Sequence, residues 1–153
     1  MKKINLLLLL LFPVFAFSQN FIGKSKTAVK KELQQMVSKS NNPAITLSGN
    51  DSVLVYSIKD NNAFPADFIY SFDKSGKCQS EKVMAANENS FTKYRDAAIS
   101  EKKYGWKKIN ENQYVSNYAS HMMIELPAER KDFFYQILKT EWTKDLYDLL
   151  TGN

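Results

Sequence analysis

The stretch that most limits what this chain can become is residues 51–84. Leu54, Tyr56 and Ile58 recur at every second position, and so do Phe68, Tyr70 and Phe72. A period of two gathers each set on one face of an extended strand, whereas a helix would scatter it. The second segment is joined to a third, residues 78–84, by Asp73-Lys74-Ser75-Gly76, with Gly where a type I turn closed by a bulge needs a left-handed residue. A loop of Lys74-Ser75-Gly76 sets Asp73 opposite Lys77 and Phe72 opposite Cys78. Cross-strand partners share a face, so Cys78 is expected in the core. In the same strand, alternation is read as sending Glu81 outward. A meander with one apolar face needs a cover.

The rest of the chain supplies that cover and further strands. Ser25 or Thr27 can cap a helix in which Val29, Leu33, Met36 and Val37 recur at helical spacing. Asn41-Asn42-Pro43 stops it, and residues 44–47 begin a strand. Phe91, Tyr94, Ala98 and Ile99 form the apolar stripe of a second helix, which Gly105 ends. Residues 106–109 and 113–117 read as a hairpin around Asn110-Glu111-Asn112, and residues 121–126 as a strand stopped by Pro127. Residues 132–142 fit two periods. One is a strand buried on both faces; the other is a helix face of Phe134, Leu138, Trp142, Leu146 and Leu150. Aromatic and β-branched residues in the first half favour the strand. Thr143 then caps a short terminal helix carrying Leu146, Leu149 and Leu150, with Gly152 at its end. The expected fold class is α+β, with antiparallel sheet covered by helices. It is built as two helix-then-strands halves in tandem, residues 21–86 and 88–142, within one domain spanning 19–153.

Residues 1–18 read as a signal peptide. Lys2-Lys3 precede an apolar run from Leu6 to Phe17, and Ala16-Phe17-Ser18 offers small residues where a signal peptidase cuts. The run is short for a membrane span, which needs about 20 residues, so no span is expected after cleavage. The leader resembles those of secreted Bacteroidetes proteins. The protein is expected to be exported, periplasmic or secreted. Cleavage removes two lysines and no acid, so the net charge of +5 falls by two. No long basic run remains, and a nucleic-acid partner is not expected. The single cysteine excludes an intramolecular disulfide.

Phe21-Ile22-Gly23-Lys24-Ser25-Lys26-Thr27-Ala28-Val29, followed by Leu33, resembles the opening of the SmpA-like and beta-lactamase-inhibitor-like families. There a Gly-x-Ser/Thr turn starts a helix with Val and Leu four apart, and strands follow. Where those families have Gly-x-Pro after the helix, this chain has Asn42-Pro43. The resemblance implies stacked helix-plus-sheet units and carries over no functional residue.

Catalytic constellations are sparse. His121 is the only histidine and opens a strand beside Met122 and Met123, so a triad or a His-rich metal site lacks its members. The five glycines form no phosphate loop. No catalytic residue, metal or cofactor is assigned. Carboxylates such as Glu81 and Glu125 lie on strands and read as solvated. What stands out is aromatic: Tyr104, Trp106, Tyr114 and Tyr118 cluster around one hairpin flanked by lysines. Two readings of this cluster stand, a partner-binding face or the core of the second half. The leading expectation is a small non-catalytic protein that binds a protein or cell-envelope component through a sheet face. A carboxylate- or Tyr-dependent enzyme and a carrier of an apolar ligand are the alternatives. Oligomeric state has no signature in the sequence.

Overall fold

Ser25 accepts the backbone N–H of Ala28 and starts α1, Lys26–Ser40, which ends at Asn41 in a left-handed conformation. The computed structural model describes residues 20–129 and 131–152; the expected leader lies outside them. Four strands follow α1: β1 (Ile45–Gly49), β2 (Val53–Ile58), β3 (Ala66–Phe72) and β4 (Cys78–Ala85). Asn87 caps α2, Glu88–Ile99, through its side chain. Four more strands come next: β5 (Lys107–Asn110), β6 (Gln113–Val115), β7 (Met122–Glu125) and β8 (Phe134–Lys139). Thr143 caps the closing helix α3, Lys144–Thr151.

The strands form one antiparallel sheet in the order β1-β2-β3-β4-β8-β7-β6-β5. Each half is a four-strand meander preceded by its helix. The last strands of the two meanders pair with each other, from Ser80↔Leu138 to Met84↔Phe134. The α+β class and the tandem halves are as the sequence implies. One sheet face carries the core: Leu54, Tyr56, Phe68, Tyr70, Val83, Ile124, Tyr135 and Ile137 are buried there with Val29 and Leu33 of α1 and Tyr94 and Ala98 of α2. The Tyr94 ring meets Phe68 edge-on at 5.0 Å, and its hydroxyl donates to the Phe64 carbonyl.

The hairpin at Asp73 forms as read. Gly76 is left-handed, and Phe72 pairs with Cys78, which is fully buried. Alternation then breaks. Ser71 pairs with Ser80, so β4 carries an extra residue between those rungs. Such a bulge reverses the faces of everything beyond it. Glu81, expected outward, therefore points into the core opposite Tyr70, with Val83 two residues on.

Other expectations are corrected. α2 ends at Ile99, and Gly105 instead closes a short 3-10 turn at Lys102–Tyr104. β8 is a strand, but only Tyr135 and Ile137 are buried; Phe134, Gln136 and Leu138 lie half-buried on the other face. α3 buries Tyr147 and not its leucines: Leu149 is 80% exposed and Leu146 is exposed as well. The lead-in is core structure, since Phe21 is buried with its ring edge-on to Tyr70.

Candidate functional site

The register fixes Glu81 between Tyr70 of β3 and Ile137 of β8. It is 5% exposed. Its carboxyl accepts the backbone N–H of Phe21, while Oε2 has no hydrogen-bond partner. Beside it is a small cavity, about 10 Å³ open to the centre of a water molecule, lined by Asn20, Ala98, Tyr104, Trp106, Tyr135 and Ile137. The indole Nε1 of Trp106 is buried and likewise lacks a partner. No lining residue is basic. Burial pushes the carboxyl up to about 8, against the pull of the Phe21 N–H, so it is largely neutral at neutral pH. Burial first, and then the nearby Glu81, raises the Cys78 thiol to about 12 and holds the Tyr70 and Tyr135 phenols above their ordinary value. A thiol so placed is a poor nucleophile. A neutral carboxyl can donate and accept hydrogen bonds, but it offers a cation little.

The second feature is a groove. α2 lies over β4. On the same face of the second meander Ile124 and Ile137 are buried, and Tyr114, the register partner of Ile124, is half-buried against them. The groove encloses about 760 Å³ and is lined by Phe91 and Ile99 of α2, Tyr114 of β6, Leu126 and Pro127 after β7, and Phe133 before β8. Its rim holds Glu88, Arg95, Asp96, Lys108, Glu111 and Asp132. Arg95 pairs with Asp96 at 2.7 Å and Lys108 with Glu111 at 2.9 Å.

The structure divides the four aromatic residues expected at a binding face. Tyr104 and Trp106 stay together, half-buried, with ring centroids 5.7 Å apart on the Glu81 cavity. Tyr114 lies in the groove. Tyr118 stands in a 3-10 turn rather than on the rung of Trp106, and packs against His121 at 4.8 Å and Tyr147 at 5.4 Å. His121 is left-handed there. Sequence reasoning missed Glu81 because a bulge has no reliable local signature. It missed Phe91, Leu126 and Phe133 as groove residues because only the tertiary fold brings them together.

Among the described residues, no group of three or more His, Cys, Asp or Glu side chains could hold a metal ion. No helix among them is long and apolar enough to cross a membrane. No family model, curated protein or solved structure shows significant similarity to the chain.

Proposed function

We propose that this is an exported, non-catalytic binding protein whose groove between α2 and the β5–β6 hairpin takes an apolar-anchored segment of a partner protein. The carrying observation is the half-buried apolar lining of Phe91, Ile99, Tyr114, Leu126, Pro127 and Phe133 around about 760 Å³, a volume typical of binding clefts. A mostly apolar wall with a charged rim is the make-up of such sites. The described lining has more acids (Glu88, Asp96, Glu111, Asp132) than bases (Arg95, Lys108), on a chain whose net charge is positive. A segment with a basic residue beside its apolar anchor suits that balance. A carrier of an apolar ligand is less well supported, because it calls for an enclosed apolar chamber, whereas the groove is rimmed by charged residues and the void beside Glu81 is only about 10 Å³. Export rests on the Lys2-Lys3, apolar, Ala-Phe-Ser pattern of residues 1–18.

Capture from envelope extract by the mature protein tests the reading, with Tyr114→Ala and Phe91→Ala as variants. Each is expected to weaken capture by about thirtyfold, as loss of a hot-spot ring does, at a temperature where melting shows the variant still folded. Undiminished capture by both variants would remove the groove from the reading. Mass analysis of the exported product is expected to place its first residue at Gln19; an intact Met1 would remove export.

A further inference from the structure

Two residues that line the cavity, Glu81 and Trp106, each have a buried polar atom without a partner, and they come from distant parts of the chain. Glu81 Oε2 belongs to the central strand β4, and Trp106 Nε1 to the segment entering β5. The void of about 10 Å³ is the room a single water needs when polar partners surround it. We propose that one water molecule is bound there, accepting from the Trp106 indole and hydrogen-bonded to the Glu81 carboxyl, and that this site pins residues 20–24 over the sheet only while Glu81 keeps its proton.

The ligand follows from the donors present. An ammonium or metal ion would meet the indole N–H, a donor, and no second carboxylate. An anion would meet the acid. A neutral molecule that both donates and accepts satisfies both atoms, and the volume restricts it to water.

The proton dependence follows from what surrounds the acid. Facing it are Tyr70 from β3, Cys78 from its own strand, Tyr135 and Ile137 from β8, Ala98 from α2, and Tyr104 with Trp106. The strap of residues 20–24 closes the site through Asn20 and the Phe21 N–H. None of these groups is cationic, so an ionised carboxylate there has to draw in solvent. The strap and Tyr104–Trp106 are the partly exposed walls. The strap's polar ties to the rest of the fold are Phe21 N–H to Glu81, Asn20 Nδ2 to Met122 Sδ at 2.9 Å, Gly23 N–H to the Cys78 carbonyl at 2.7 Å, Cys78 N–H to the Lys24 carbonyl at 2.9 Å, and the exposed Lys24–Glu32 pair at 2.9 Å. Ionisation strengthens the Phe21 N–H bond, but the water drawn to the carboxylate enters past these walls, so loss of the proton loosens the strap at its other bonds.

Trp106 reports on the site once Trp142 is replaced by Phe. Its emission is expected to shift to the red in one transition centred near pH 8, and the same titration in the added presence of Glu81→Gln is expected to be flat. If Trp142→Phe does not fold, the ¹⁹F signal of fluorotryptophan at position 106 in the otherwise native chain gives the same reading. Exchange of the Gly23 amide, corrected for intrinsic rate, is expected to rise through the same pH span in the native chain alone. A flat native titration, or an equal transition in the Gln variant, overturns the proton dependence. A high-resolution crystal structure at mildly acidic pH is expected to show one water within hydrogen-bond distance of both atoms; an empty cavity, or a direct Glu81–Trp106 bond, overturns the ligand.

Discussion

Replacing Glu81 by Gln should make the protein more stable, and by an amount that depends on pH. The side chain keeps its size and its acceptor for the Phe21 N–H, and it loses the ability to ionise. The native carboxyl titrates at about 8 when folded, against an ordinary value of 4.5. Between those values the folded state holds a proton that the unfolded state has released, so stability falls as pH rises. The contribution is fully present below the unfolded value and is lost as pH climbs through the folded one. Each pH unit in that window costs about 1.4 kcal/mol. The deficit of the native chain relative to Glu81→Gln is then near zero at about pH 4, about 3 kcal/mol at pH 7, about 4 kcal/mol at pH 8, and about 5 kcal/mol above about pH 9. That last figure rivals the whole stability of many small domains. Urea denaturation of both proteins across this range, compared at equal m-value, gives the difference curve, in which every other titrating group cancels. Parallel stability curves for the two proteins would refute the reasoning, since they would mean that Glu81 is solvated or charge-compensated in the folded state.

Cys78 is fully buried and its thiol is pushed to about 12, so a thiol reagent is expected to label the folded protein only at the rate of unfolding. Rapid labelling would contradict its placement. Gly49→Ala is expected to destabilise by about 1–3 kcal/mol, because a Cβ there would collide with the Val53 carbonyl oxygen and the backbone φ is +148°; thermal melting checks it. Leu149→Ser is expected to change stability by less than about 0.5 kcal/mol, since the side chain is 80% exposed. A large loss would place Leu149 against something in the fold.

Local rules carried the sequence reading where structure is local. The alternation of Leu54, Tyr56 and Ile58, the caps at Ser25 and Thr143, and the Phe72↔Cys78 rung all stand in the structure. Each depends on residues a few positions apart. The failures arose where one residue or one distant partner decides. A single extra residue in β4 turned Glu81 inward, and with it the only buried acid among the described residues. The aromatic set is divided for a related reason. Tyr104, Trp106, Tyr114 and Tyr118 are neighbours in sequence, yet a strand reverses its face at each step and a 3-10 turn carries Tyr118 away from the hairpin. In α3, both Tyr147 and the leucines fit an apolar stripe. The position of Tyr118, which no local pattern encodes, selects Tyr147.

The pairing of β4 with β8 has a consequence for how the two halves hold together. Each meander completes its own ladder before it reaches that seam, and the chain passes between the halves at Ala86, bonded to the Pro65 carbonyl, and Asn87, the cap of α2. Among the described residues, the rungs from Ser80↔Leu138 to Met84↔Phe134 are the one strand pairing between the halves, so the continuity of the eight-stranded sheet rests on β4 and β8 alone.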